Sequence, residues 1–515
     1  MKSENLKVRI AVIFLGLFSL NLFVGNILAN NPPINLVRQP YLQSVTQHSI
    51  IIRWRTDIPT DTKVSYGQTI AYGNTISNAN LATEHEVLIS TLQHSTKYFY
   101  KIGTTTQDLQ GDANNYFSTS KPANAPQNSF SVWVTGDFGV GNANQISVKD
   151  SYKNYVGTTP ADFWIWLGDN AYGSGSDLEY TTNTFNQYPE ILKNTPFYPS
   201  IGNHDYGNVN YLSPEALSSN FPYFNQFSLP SNAEAGGVPS GTEKYYSYNY
   251  GDVHFIVLDS FGSYNVSTSP MYLWLKSDLE ANLQKWTICY FHHPPYTKGT
   301  HNSDLEIESF SMRQNIIPLL ESKNVDLVLS GHSHVYERTF LINGHYDVAN
   351  TFTNAMKKDA SGGNMSPYYS KNTSVSSTVY AVCGNSGQGG VVATASSWPH
   401  QAMFSYDKTL FGSMILNIQK DTLSAKFLTS TGVISDSFKI VKNNNCSCLN
   451  MAETQASGLW NQTSSWLCGV VPTALTNVFI QPQHVITVPY HSTAEAKKIF
   501  MNGQLINQGL VKLGF

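Results

Sequence analysis

The sequence predicts a mixed fold, α+β or α/β in class, with an all-β module ahead of the main region and a short β-rich tail behind it. Three observations carry this expectation. From about Asn128 to Lys442, strand-like apolar runs alternate with helical stretches such as Pro270 to Leu283 and Met312 to Lys323. From about Asn35 to Thr119 only strand-type alternation occurs. After Asn443 the composition turns polar around short apolar segments such as Val478 to Val488. With 515 residues, 41% of them hydrophobic and 13% charged, the chain has the composition of a folded protein and the length for about two to four domains.

Residues 1–29 read as a secretory signal peptide: Lys2, Lys7 and Arg9 precede an apolar run from Ile10 to Val24, and Ala29 is a small residue at a cleavage point. The run is shorter than the ~20 residues of a spanning helix. The mature chain is therefore expected to lack a membrane span and to be secreted, whether extracellular, periplasmic or at the cell surface. Within residues 30–122 the segments Ser49 to Thr56, Thr62 to Tyr66, Glu84 to Ile89 and Lys97 to Thr104 alternate as strands. Thr96 to Gly103, following the Trp54 strand, resembles the late strand of a fibronectin type III-like sandwich. A linker from Lys121 to Gln127 leads to the main region, residues 128–442, whose last segments, Gly412 to Ile418, Thr422 to Thr429 and Val433 to Val441, read as an antiparallel meander. Residues 443–515 resemble the short β-rich modules that follow catalytic domains in some secreted bacterial proteins. Contact with a carbohydrate or a cell surface, or simply the start of a β-solenoid, are open readings for this module.

A net charge of -4 provides no clustered basic footprint, which excludes a nucleic-acid partner from the expectation. Of the five cysteines, Cys289 and Cys383 lie in apolar runs and read as buried free thiols. Cys446, Cys448 and Cys468 lie in the polar tail, where one disulfide could join Cys468 to either of the others. No matching histidine spacing accompanies them, which argues against a zinc knot.

Five apolar runs of the main region each end in a polar cluster. Phe130 to Thr135 leads into Gly136-Asp137-Phe138-Gly139, and Phe163 to Leu167 into Gly168-Asp169-Asn170-Ala171-Tyr172. Phe197 to Ile201 leads into Gly202-Asn203-His204-Asp205, Trp286 to Phe291 into His292-His293-Pro294-Pro295, and Val325 to Ser330 into Gly331-His332-Ser333-His334. If these runs are neighbouring strands of one sheet, all five clusters meet at one edge, where open α/β sheets bind ligands. His332 and His334 are two apart, so in extended backbone both side chains leave one face and reach adjacent ions. Carboxylate and imidazole together favour first-row transition metals, and a carboxylate such as Asp169 can bridge two ions spaced about 3.5 to 4 Å apart. The neutral Asn203 oxygen limits the negative charge that an anionic substrate would meet. By contrast, Gly384, Gly387, Gly389 and Gly390 form a glycine-rich loop with no helix pattern after it, unlike a phosphate cradle.

In this order the five clusters resemble the calcineurin-like metallophosphoesterase superfamily, and Tyr172 in Gly-Asp-x-x-Tyr makes the purple acid phosphatases the most similar family, in its plant-type architecture. The resemblance implies a β-sandwich core flanked by helices. It further implies that Asp137, Asp169, Tyr172 and His334 bind a first metal, Fe(III), and that Asn203, His292 and His332, with shared Asp169, bind a second, Fe(II), Zn(II) or Mn(II). A phenol, with a pKa of about 10, ionises below neutrality only at a strongly acidic cation, which suits Fe(III). His204 and His301 are the implied catalytic residues, stabilising the transferring group and protonating the leaving alkoxide. Asp205 departs from the glutamate usual in plant-type enzymes, and His293 stands where members vary and could touch substrate. Glu337-Arg338 resembles the family's continuation and reads as a structural ion pair. His254, His345 and Asp259 read as structural.

The expected function is hydrolysis of phosphate monoesters by a secreted acid phosphatase, through in-line attack of a metal-bound hydroxide and with an acid optimum. A phosphodiesterase or nucleotide-directed hydrolase is the alternative within enzymes. A non-catalytic surface or adhesion protein is the alternative of another class.

Overall fold

Pairing of the parallel strands that precede the polar clusters builds two sheets, not one. The computed structural model describes residues 33–123, 129–364, 368–372, 375–389, 398–443, 451–466 and 471–513. Among these, one seven-stranded sheet runs Tyr369–Asn372, Ile434–Asn443, Thr422–Thr429, Gly412–Gln419, Ser129–Thr135, Phe163–Trp166, Phe197–Pro199. The other runs Tyr246–Tyr250, Val253–Val257, Trp286–Tyr290, Leu327–Ser330, Val379–Cys383, Tyr336–Thr339, Met403–Asp407. The last three strands of the first sheet are mutually parallel, as are Val253–Val257 through Val379–Cys383 in the second. The expected single sheet is corrected: three cluster-bearing strands lie in one sheet and two in the other.

Both faces of these central strands are covered, which is why Phe163–Trp166 is apolar and buried throughout instead of alternating. Phe163 points into the sandwich, edge-on to Phe255 at 5.2 Å, and nearby Tyr198 stacks on Tyr248 at 3.8 Å. Trp164 points the other way, onto Trp133, which stacks on Tyr152 of the helix Ala143–Val156 at 3.9 Å. Asn142 caps that helix through its side chain, accepting from the Gln145 amide. The helix Pro270–Ala281, capped by Ser269 with Pro270 in its first turn, packs Met271, Leu275 and Leu279 with Ile256 and Phe291 of the second sheet. The helix expected from Met312 starts earlier, at Ile307, and carries a π-type turn over Met312–Ile316. Pro318, with no amide proton to continue the ladder, follows that turn.

Ahead of the sandwich the chain is β-structure alone among the described residues. Two segments read as separate strands are one, Ile50–Gly67, whose register against Asn74–Ile89 shifts between Arg55 and Thr60 around Pro59. Its first half pairs with Leu36–Gln43 and its second with Lys97–Gly103. The last described region has solenoid pairing: Met451–Glu453, Asn477–Ile480 and Lys498–Met501 are parallel neighbours, as are Gly458–Leu459, Val485–Val488 and Gln504–Asn507. Of the open readings for the tail, the pairing therefore matches the β-solenoid. The described residues from Asn35 onward form one compact unit. Cys289 and Cys383 are buried free thiols. The expectations on residues 1–29, on Cys446, Cys448 and Cys468, and on Gly390 lie outside the described residues. Among the described residues no helix is long and apolar enough to cross a membrane.

Candidate metal centre

Each polar cluster begins where a parallel strand ends and the chain must turn without straying from the sheet edge. Asp137, Asp169 and His332 accomplish this in left-handed backbone, with φ of 56°, 52° and 64°. Non-glycine residues are held there at a cost of order 1 kcal/mol or more, and such outliers gather at functional sites. The His332 value also corrects the expectation of extended backbone at His332. Neighbouring glycines allow the turns to interlock. A Cβ on Gly202 would stand 2.3 Å from Asp169 Oδ1, and one on Gly168 2.5 Å from His292 Nδ1.

The donor atoms converge. Ligating atoms of Asp137, Asp169 and His292 lie within 4.8 Å of one another. His292 Nδ1 faces the Leu167 carbonyl at 2.8 Å; a carbonyl only accepts, so in the neutral ring that can bind a cation the proton sits on Nδ1 and Nε2 offers its lone pair. That Nε2 is 3.1 Å from Asn203 Oδ1 and 3.3 Å from Asp169 Oδ2. On the other side of Asp169, Tyr172 donates to Asp137 Oδ1 at 2.8 Å, and His334 Nε2 lies 3.4 Å from the phenol oxygen and 3.5 Å from Asp137 Oδ1. Asp137, Tyr172 and His334 thus lie together on one side, and Asn203 and His292 lie with Asp169 on the other. His332 packs its ring 5.1 Å from that of His292, and its Nε2 lies 3.3 Å from Glu306 Oε2. A proton shared there leaves Nδ1 as the donor atom.

His204 and His301 border the cluster, each about one-third exposed or less. His204 donates from Nδ1 to the Gly173 carbonyl at 2.7 Å and lies over Tyr172, ring centres 4.3 Å apart. His301 Nδ1 is 2.8 Å from Glu306 Oε1, with the ring 3.7 Å from that of His332. Both imidazoles are anchored at Nδ1 and present Nε2.

Electrostatics mark the cluster as a cation site. Burial opposes charge on Asp169, yet His292, His204 and His332 hold its carboxyl well below the usual carboxylate range. Burial likewise opposes a charged His292, but Asp169 and Asp137 raise it to about 9. Burial and then the same two carboxylates push the Tyr172 phenol well above its ordinary value. Buried carboxylates, a phenol and lone-pair imidazole nitrogens drawn this close fit a pair of transition-metal ions.

Several neighbours take other parts. Asp205 is buried and accepts from the amides of Gly202 and Asn170 and from the Tyr180 hydroxyl, tying two ligand loops together. Burial and the nearby Asp169 raise its carboxyl to about 7. His293 is buried against Ser260 Oγ at 2.8 Å and packs its ring on that of His332. Glu337 and Arg338 do not pair with each other: successive strand residues face opposite ways, so Arg338 binds Asp436 at 2.8 Å while Glu337 turns toward the Lys298 amide. Asp259 anchors its own loop through the Phe261 and Gly262 amides, and His254 pairs with Asp278. His345 stacks on Tyr296.

Two residues of the site escape the sequence. Glu306, held at about 2 by His301 and His332 against the effect of burial, has no spacing signal, since its partners come from separate turns. Glu179 receives the amides of Gly173, Ser174 and Ser176 beside Tyr172. Ser176 and Glu179 form a capping box, and the Ser-x-x-Glu pattern signals one.

Residues 130–336 match the family Calcineurin-like phosphoesterase. The chain is 28% identical over 315 residues to the phosphoenolpyruvate phosphatase of Allium cepa, across 57% of this chain and 60% of that protein. With purple acid phosphatase 18 of Arabidopsis thaliana it shares 28% over 263 residues, across 50% and 54%, and with purple acid phosphatase 1 of Ipomoea batatas 25% over 395 residues, across 72% and 76%. The chain thus spans 60% and 54% of the length of the first two relatives. The structure of purple acid phosphatase PPD1 from yellow lupin, 18% identical, superposes with a TM-score of 0.61 over 79% of this chain and 74% of that one. PhoD, 12% identical, gives 0.55 over 79% and 90%. These likenesses concern the fold.

Proposed function

We propose that the chain, whose residues 130–336 match the calcineurin-like phosphoesterases and which is similar to purple acid phosphatases, is a member of the purple acid phosphatase family: a secreted dinuclear-metal acid phosphatase hydrolysing phosphate monoesters. The observation that carries the proposal is the meeting, between two sheets, of Asp137, Asp169 and His292 with the Tyr172 phenol. Asp137, Asp169, Tyr172 and His334 would hold the first ion, and Asn203, His292 and His332, with Asp169, the second. Fe(III) is proposed for the first position, because a phenol pushed upward by burial and two carboxylates ionises only against a highly charged cation. Fe(II), Zn(II) or Mn(II) is proposed for the second. When bound, such a pair supplies charge neutralisation at the phosphoryl oxygens and acidifies a water molecule.

The chain's own residues do the rest. His204 and His301 present Nε2 protons to phosphoryl oxygens and to the departing alkoxide, work that imidazolium performs in mildly acidic solution. Glu306 fixes the ring of His301 and that of His332 together, so acid and metal ligand keep one spacing. His292 and the Leu167 carbonyl fix the donor nitrogen toward Asp169.

Purified full-length protein provides the test. Metal analysis, the visible spectrum and hydrolysis of monoesters and diesters across pH are measured on one sample. Two bound metals, iron among them, a tyrosinate absorption band and faster monoester than diester turnover at acid pH are expected. A colourless, iron-free but active sample would remove the Fe(III) assignment, and fully metallated protein inert toward monoesters would overturn the phosphatase reading. Finding the protein retained inside cells after expression in a secreting host would overturn secretion.

A further inference from the structure

The strand Tyr336–Thr339 leaves the His334 turn and pairs with Met403–Asp407 running the opposite way, Tyr336 standing opposite Asp407. The next residue, Lys408, therefore emerges beside His334. There they line one cavity of about 300 Å³, together with Asn142, Asn144, Gln388 and Phe411 among others. His334 also borders the candidate metal centre, its Nε2 lying 3.4 Å from the Tyr172 phenol oxygen and 3.5 Å from Asp137 Oδ1. No Asp or Glu is among the described residues lining it. The adjacent carboxylate, Asp407, is turned into its own loop, where Oδ1 accepts from the amide and hydroxyl of Thr409 and from the Leu410 amide. Lys408 is left as the one permanent charge on the described wall. Amides donate and accept, and so suit hydroxyl groups; an ammonium on a flexible stem suits a carboxylate or phosphate.

We propose that this cavity is a leaving-group subsite in which Lys408 selects phosphate monoesters of small hydroxylated alcohols that carry a second anionic group. The proposal rests on the phosphomonoesterase reading above and specifies which monoesters that centre prefers. The phosphoryl group would lie at the metal centre with the alcohol portion extending past His334, its hydroxyls on the amides and its second negative charge at Lys408.

A matched pair of substrates tests it: 3-phosphoglycerate and glycerol 3-phosphate, which differ in a carboxylate against a hydroxymethyl group on the same skeleton. The ratio of their kcat/KM values at fixed ionic strength should favour 3-phosphoglycerate in the wild type. It should fall about tenfold in Lys408→Ala, the scale of one hydrogen bond to a charged group, and further in Lys408→Glu. Lys276→Ala, on an exposed position of Pro270–Ala281 away from the cavity, should leave the ratio unchanged. If p-nitrophenyl phosphate is hydrolysed but the wild-type ratio is one, or does not respond to Lys408, the phosphatase reading stands and the subsite is overturned. If no ester is hydrolysed, the phosphatase reading fails, and calorimetric binding of the two probes to metallated wild type and Lys408→Glu decides the subsite. Equal affinities in both proteins would overturn it, and a preference for 3-phosphoglycerate lost in the variant would support it.

Discussion

Asp169 concentrates the constraints of the site in one side chain. Its backbone is left-handed, Oδ1 accepts from the His204 amide at 2.8 Å, and Oδ2 faces His292 Nε2. Asp169→Asn keeps the shape but replaces one oxygen with a donor aimed at groups that already donate or must bind a cation. We expect bound metal and turnover to be lost together, by about 100-fold or more in turnover; metal analysis and assay of one preparation check this, and a fully active variant would sink the ligand assignment. Gly202→Ala reaches the same carboxylate from behind, because the added Cβ would stand 2.3 Å from Oδ1 and 2.4 Å from the Asp169 amide nitrogen. Reduced metal content with an unchanged far-ultraviolet circular dichroism spectrum is expected. The residues proposed as ligands were legible in the sequence as polar clusters that each follow an apolar run. Glu306 was not: its tie to His301 and His332 depends on how two turns meet, and nothing in its neighbourhood records that.

At the scale of elements, the loop bearing Tyr172 is held from two directions. Glu179 gathers its amides from within, while the turn that follows is clamped by the N-terminal sheet: Asp177 binds Arg38 at 2.9 Å and Arg55 at 2.6 Å. Arg38 is fully buried and also bonds Thr181, so its charge depends on Asp177 for compensation. Asp177 itself is half exposed, and solvent takes up part of any loss. Asp177→Ala should destabilise the protein by about 1–3 kcal/mol, on the scale of charged hydrogen bonds, and shift the visible absorption that the proposed iron–Tyr172 pair would give. A lowered midpoint in denaturant with an unchanged spectrum would confine the clamp to stability. Strands and helices were largely legible from periodicity. Pro59 broke an alternation that the strand survives through a shifted register, and the helix read from Met312 begins one turn earlier, at Ile307, ahead of the π-type turn.

For the whole molecule, the sequence showed that strand ends carry the chemistry but not that two sheets supply them, because Ser129–Thr135 pairs with Gly412–Gln419 from the far end of the main region and no local pattern encodes that partnership. Burial also disfavours charge on several imidazoles, His85 and His345 among them. His85 lies between Thr62 and Thr56 hydroxyls and stacks on Trp54, and burial lowers it to about 4; burial and then Arg313 lower His345 to about 4 as well. In the unfolded chain both titrate near pH 6.5. Between pH 6.5 and 4 the unfolded state therefore binds protons that the folded state does not, and stability must fall as pH falls through that window, by about 1–3 kcal/mol for each group. Below pH 4 the folded state takes up the protons too, and the loss from these groups ends. An enzyme working in acid would operate on this slope. Replacing the imidazoles removes the titration: His85→Gln combined with His345→Phe should lower the denaturation midpoint at pH 7, yet lose less on going to pH 4.5 than the wild type does. Parallel pH profiles for the two proteins would mean that these histidines are protonated in the fold, and that other groups set its acid limit.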